Sequence, residues 1–260
     1  MKKSLKIWFI YTLNSFQQMA QNRLAMGIFL FGKIFRILLF FLFLNLIFFS
    51  AKSLGDYSRA QAILFYLVFN LIDTIGQLLF REVYRFRSLL ISGDLDLVLV
   101  KPINPLVRVL LGGADLFDLV ILTGLVVVLA FYIPANFQIS GIWYLSSAIM
   151  TINAIILSAA FHICVLALGV LFTNIDHLIM IYRDLTNLMR IPVDLYAAPL
   201  KFFLTFIMPL AVMYTFPAKT LMGLLSWQNI IICLLYSVIC FLLSYRLWLH
   251  SLRSYSSASS

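Results

Sequence analysis

The side chains best suited to nucleophilic, acid–base or metal chemistry in this chain are His162, His177 and His250 with Cys164, Cys233 and Cys240. Their spacing supports none of it. The histidines are dispersed, no repeated carboxylates flank them, and neither His-Glu-x-x-His nor Gly-x-Ser-x-Gly occurs. Cys233 and Cys240 could share a helix face, but all three thiols lie in apolar stretches and read as small buried hydrophobes. No disulfide framework or metal spacing is present. His162, alone in a long apolar run, reads as a hydrogen-bonded core histidine ahead of a proton relay. A phosphate-cradling loop needs glycines before Lys-Ser or Lys-Thr. Lys3-Ser4, Lys52-Ser53 and Lys219-Thr220 all lack them, so the chain is not expected to hydrolyse ATP alone. What remains is a set of charges placed among apolar groups. The densest lies at residues 81–108, with five of the nineteen Lys and Arg, a Gly-Asp-Leu-Asp turn and Lys-Pro-Ile-Asn-Pro.

The elements that must position these charges are membrane helices. The 260 residues are 63% hydrophobic and 11% charged, less than half the charged share of an ordinary soluble domain, about 25%. At roughly 20 apolar residues per span, the runs allow five to seven spans. Residues 2–26 mix Leu5, Trp8, Phe9, Tyr11 and Leu13 with Lys6, Asn14, Gln17, Gln18 and Arg23, the pattern of an amphipathic interfacial helix. No small-residue cleavage site follows the basic Met1-Lys2-Lys3 start, so no cleavable signal is expected. Spans are expected at 28–49, 60–80, 116–133, 142–172 and 227–249, before a flexible Ser-rich tail. The stretch 173–199 is punctuated by Asp176, His177, Arg183, Asp184, Asn187, Arg190 and Asp194. Either it is a cytoplasmic helix and 200–216 is the fifth span, or 174–193 is the fifth span and 200–222 is a helical hairpin dipping back into the outer leaflet. Pro209 and Pro217 interrupt that later stretch, and broken helices at membrane depth are tolerated only where protein buries them or a cavity opens.

Both options give six spans and place both termini on one side. Lys2, Lys3, Lys6, Arg23, Lys33, Arg36, Arg81, Arg85, Arg87, Lys101, Arg108, Arg246 and Arg253 share that side, against Lys52, Arg59, Lys201 and Lys219 opposite if 174–193 is the fifth span. Thirteen against four, with Arg183 and Arg190 unassigned, puts the termini in the cytoplasm. The charge of +9 therefore reports topology and implies no nucleic acid. On the second span Asn70, Asp73 and Gln77 fall three or four apart, on one face. That face should point into protein, as helix-to-helix hydrogen bonding ahead of substrate contact.

Within 81–108, Tyr84, Phe86, Leu89, Leu90 and Ile91 interleave with Arg81, Arg85, Arg87 and Ser88, giving an amphipathic helix out of the second span. Gly93 should end it, Asp94 should turn or cap, and Pro102 and Pro105 should redirect the chain. A solvated loop obeying only charge asymmetry would need none of these.

Here the chain resembles a family. The run Arg87-Ser88-Leu89-Leu90-Ile91-Ser92-Gly93-Asp94-Leu95-Asp96, then Leu99-Val100-Lys101-Pro102-Ile103-Asn104-Pro105-Leu106, is similar to the signature of ABC-2 family transporter permeases, in a branch once catalogued as a domain of unknown function. Phe206-Ile207-Met208-Pro209 and Tyr214-Thr215-Phe216-Pro217-Ala218 resemble a softer second stretch. Lys101 departs from the commoner Arg, keeping the charge and losing the planar fork. The resemblance implies an all-α integral membrane protein with a type V exporter-like ABC-2 permease fold: six spans, an N-terminal interfacial helix, and re-entrant helices before the last span. It favours 174–193 as the fifth span. It also implies a cytoplasmic coupling region, 81–113, seated in a separate ATPase subunit, with Glu82, Arg85, Arg87, Gly93, Asp94, Asp96, Lys101, Pro102 and Pro105 as its coupling residues. Two ATPase subunits, binding ATP and Mg there, and a second permease, identical or homologous, would complete an exporter in a bacterial-type inner membrane. This chain would carry no cofactor, no metal and no catalytic residue. Asn70, Asp73, Gln77, Arg183, Asp184, Asn187 and Arg190 are candidates, from polarity alone, for its cavity or subunit interface. An intramembrane lipid-modifying enzyme would need polar groups clustered at one depth, and a secondary transporter would favour inverted repeats; the sequence shows neither.

Overall fold

The computed structural model describes residues 2–21, 23–51, 53–172 and 175–255. Lys52, Asn174 and the end of the Ser-rich tail lie outside them, as do the side chains of Lys2, Lys3, Leu5, Gln18 and Arg23. The described residues form helices joined by short turns: α1 (Lys2–Gln21), α2 (Arg23–Ser50), α3 (Arg59–Phe80), a 3-10 segment (Arg81–Arg85), α4 (Phe86–Ile91), α5 (Asp94–Leu99), α6 (Pro105–Leu110), α7 (Leu116–Asn136), α8 (Gly141–Phe172), α9 (Ile175–Leu188), α10 (Ala198–Phe202), α11 (Phe216–Leu221) and α12 (Trp227–Arg253). Five helical stretches among them are long and apolar enough to cross a membrane: Met26–Ser50, Arg59–Ile91, Phe117–Asn136, Gly141–Phe172 and Trp227–Arg253.

Local chemistry sets the starts. Ser58 and Gln61 form a reciprocal capping box on α3, with Gln61 N donating to Ser58 Oγ at 3.3 Å and Ser58 N to Gln61 Oε1 at 2.9 Å. Asp115 caps α7 by accepting from Phe117 N at 2.9 Å, and Ser226 caps α12. Helix α7 runs to Asn136, through Pro134 and past the expected end at 133. A proline in the last turn forfeits only one amide there.

α3 is the centre. Residues from Ala62 to Asn70 are buried without a break, as expected of a helix apolar all round. α7, α8 and the bent pair described below pack around it. α8 packs along α12, whose buried side chains include Ser237, Ser244 and Ser251, seven residues apart and each at most 1% exposed. Small residues let two helix backbones approach closely where lipid supplies no hydrophobic drive.

Between residues 198 and 221 two helical pieces, Ala198–Ile207 and Ala211–Leu221, meet at 83°. Pro209 sits at the break and has no amide to donate, while Met208 N bonds Phe203 O at 2.8 Å, closing a widened turn. Lys201 near the start and Lys219 near the end both pair with Asp194. The pair therefore enters and leaves at one end of the bundle, the end where Tyr57, between α2 and α3, donates to Asp194 at 2.6 Å. Asp176, at the start of α9, pairs with Arg87 at the other end. The chain from 176 to 194 thus passes from one end to the other. α9 itself is 14 residues, about 21 Å of helix, and the nonhelical stretch after it completes the passage.

Gly112 shows how tightly the turn into α7 is packed. A Cβ there would meet Glu82 Cγ at 2.6 Å and the Arg108 carbonyl oxygen at 2.7 Å. Gly112→Ala is expected to destabilise the protein by about 1–3 kcal/mol, read as a lowered thermal unfolding midpoint in detergent, whereas Gly124→Ala, in the interior of α7 with nothing within 4 Å, should not lower it, alanine being the better helix former.

Candidate functional site

The region 81–113 is a folded unit with its own core. The chain leaves α3 through one 3-10 turn into α4, and stops at Gly93, whose φ of +76° is the left-handed conformation glycine adopts without strain. Asp94 opens α5 and accepts from Ser92 Oγ at 2.7 Å. Asn104 caps α6 through Leu106 N at 2.9 Å, with Pro105 in the first turn, where its missing amide costs nothing. Val83, Phe86, Leu95 and Val109 are completely buried, against Ile163 and Leu166 of α8 and Trp248 of α12. The unit is fixed to the ends of two long helices.

Charge closes the unit on itself. Arg108 donates to Glu82 at 2.7 Å, joining its beginning to its end, with side-chain exposures of only 15% and 9%. The Arg108 guanidinium also stacks on Tyr11 of α1 at 4.4 Å. α1 lies there with Thr12 and Ser15 buried and Phe9, Ile10 and Leu13 exposed. Next to it, Lys33 of α2 pairs with Asp118 and, at 3.8 Å, with Asp115, which Arg81 approaches at 3.6 Å. Three helices are joined by that cluster.

Of the residues expected at the coupling surface, Arg85, Asp94, Lys101 and Pro102 are exposed. Glu82 is buried and belongs to the internal bridge. Arg87 is exposed and pairs with Asp176 of α9. Asp96 is half-buried, Gly93 forms the turn and Pro105 starts α6. Between the charges stand Ile91, Leu97 and Val100, 65%, 58% and 79% exposed. The residues expected to couple include neither these three nor Arg108. The alternation of buried Leu95 and Val98 with exposed Leu97 and Val100 along α5 was the available signal.

The interior polar residues fall into two groups. Gln77 donates to Asp73 at 2.7 Å, and Arg183 donates to Tyr84 Oη at 3.3 Å and lies in the field of Asp73. Asn70 instead donates to its own helix at Tyr66 O, 2.7 Å away. His162, buried, donates from Nδ1 to Ser158 O at 2.8 Å and packs between Phe80 and Tyr182. Arg190 donates to Asn187 at 2.7 Å, and Asp184 is exposed on α9. The structure therefore joins Gln77 to Asp73 by a hydrogen bond, sets Arg183 within electrostatic reach of Asp73 while its hydrogen bond goes to Tyr84, and leaves Asn70 and Asp184 apart from them. At the far end, burial would raise the Asp194 carboxyl, but hydrogen bonds from Lys201, Lys219 and Tyr57 outweigh it and hold the group well below the usual carboxylate range.

A family profile described as ABC-2 family transporter protein matches residues 34–259. No curated protein and no solved structure matches the chain.

Two outcomes follow from this electrostatic layout. Glu82→Ala strands a half-buried guanidinium and is expected to cost about 3 kcal/mol in thermal unfolding, of which the double variant Glu82→Ala with Arg108→Met should recover most. The Asp194 carboxylate binds its proton less readily when folded, so its stabilisation is present at neutral pH and is lost as pH falls below about 4. Unfolding midpoints measured from pH 7 to 3 should drop in that acid limb, and Asp194→Asn should flatten it.

Proposed function

The chain belongs to the ABC-2 family of transporter proteins, and from that premise we propose that residues 81–108 are the surface through which a separate ATPase drives it. A multi-pass membrane component of an ABC-type transport system takes its energy from an ABC ATPase. In this reading two ATPase subunits bind ATP and Mg2+, and their closure pushes on the exposed edge of the unit. The direction of transport is export, the membrane is a bacterial-type inner membrane, and both termini face the cytoplasm with the ATPase.

The observation that carries the reading is the exposure of Ile91, Leu97 and Val100 on a unit whose other apolar residues are buried or half-buried, apart from Val107 at 38%. Such side chains supply grip by burial, and Arg85, Asp94 and Lys101 around them supply register. Force applied there has a rigid path inward. Phe86 and Leu95 pack with Trp248 of α12 and the end of α8, and Arg87–Asp176 and Arg183–Tyr84 bind α9 to the same unit.

A second permease, identical or homologous, completes the pathway. Leu44 is the one buried residue of the apolar stretch of α2 at 28–49, and more than half of that stretch is exposed; α9 exposes Met180, Ile181 and Asp184. A carboxylate at that position of a crossing segment requires protein or a polar path opposite it.

Leu97→Asp with Val100→Asp places charge in the docking face without touching the core. Co-purification with the cognate ABC ATPase is expected to weaken at least about thirtyfold, as for loss of a central anchor worth about 2 kcal/mol, with thermal unfolding unchanged. Retained co-purification and unchanged transport-linked ATP hydrolysis would remove this surface from the interface.

A further inference from the structure

We propose that the groove between α2 and the chain just beyond α9 seats one anionic phospholipid, its phosphate between Arg36 and Arg190 and its acyl chains along α2. The inference needs only that the chain spans a membrane, so it stands or falls separately from the ATPase reading.

The groove is shallow and open, with a volume of about 380 Å³. Its walls are Phe35, Leu39, Phe40 and Phe43, and Gly32 leaves its lower edge clear, with nothing within 4 Å of where a side chain would begin. Two guanidiniums enter this apolar surface. Arg190 is held by Asn187 at 2.7 Å and by stacking on Phe40 at 5.6 Å, so its donors are oriented in advance. Arg36 is exposed beside it. Among the described residues no carboxylate makes an ion pair with either. The charges that reach Arg190 are Arg36, Arg183 and Asp73, which with Arg190 itself makes three guanidiniums against one carboxylate, and Asp73 also reaches Arg183 and accepts from Gln77. Uncompensated cations among phenyl rings call for an anion, and forked guanidiniums suit phosphate.

Depth and direction select a lipid over a free anion. Lys33, one turn before Arg36, pairs with Asp118 and Asp115 at the start of α7. Arg36 therefore lies about 5 Å further in. Beyond it, away from the 81–113 unit, Leu39, Phe43 and Leu46 are 49%, 51% and 69% exposed along one side of α2. A phosphate at the arginines with tails over these residues has the orientation of an ordinary lipid in the leaflet on that side.

Native mass spectrometry of the full chain, released from micelles containing phosphatidylglycerol or phosphatidylcholine, tests the site. One phosphatidylglycerol per chain should be retained in preference to phosphatidylcholine. Arg36→Gln with Arg190→Gln should lower that occupancy at least about tenfold, the loss of one charge-assisted hydrogen bond or more. Arg36→Gln alone, at an exposed side chain, should lower it with thermal unfolding in phosphatidylcholine unchanged. Equal retention of the two lipids, or occupancy unaffected by the double variant, overturns the proposal. Displacement of the lipid by millimolar inorganic phosphate overturns it in favour of a soluble anion. A dimer that becomes monomeric in the double variant with lipid occupancy intact assigns the arginines to a second copy and overturns it as well.

Discussion

A charge held among apolar groups has to be matched, and in this protein the matching is what joins segments far apart in the chain. Glu82 and Arg108 close the 81–113 unit. Lys33, Asp115, Asp118 and Arg81 tie α2 to the ends of α3 and α7. Asp194 gathers Tyr57 from the α2–α3 connection, Lys201 from α10 and Lys219 from α11 at the opposite end. Isolated surface ion pairs contribute little, but a pair whose partner would be stranded in a poorly solvated site is costly to break. These pairs therefore specify which helices meet, while burial around α3 supplies most of the cohesion.

That division suits a protein whose helices must move as units. Packed helix surfaces have discrete arrangements, so motion is expected as rigid displacement with the pairs as pivots. The passage from Asp176 to Asp194 is the clearest such element. It is pinned to Arg87 at one end and to Tyr57 at the other, with Arg183 held by Tyr84 in between. A displacement of α4 is felt at α9 directly, and the bent pair that follows shares its anchor at Asp194.

Much of this was legible in residue order. The apolar runs, the turn at Gly93 and the shared face of Asp73 and Gln77 all followed from spacing and turn chemistry, whereas Pro105, expected only to redirect the chain, also starts α6. The seven-residue repeat Ser237, Ser244, Ser251 was equally visible as a small-residue seam, but reads as ordinary polarity until a partner helix is known. Asn70 shows the limit of face arguments, because it satisfies its amide on its own helix at Tyr66 instead of joining its neighbours. Glu82 shows another, since a carboxylate in a basic stretch looks exposed until Arg108, 26 residues on, folds back over it.

By itself the sequence determined that the chain crosses a membrane several times, where its polar unit lies, and that it lacks an ATP site of recognisable spacing, because hydropathy, turn residues and motif spacing are local properties. The tertiary structure alone decided which charges are internal and which are presented. It turned Glu82 inward and left Leu97 and Val100 outward. It also returned Lys201 and Lys219 to one carboxylate, so that the stretch 198–221 turns back while 176–194 goes across. Those choices depend on which segments meet, and a charge finds its partner through space and not through spacing.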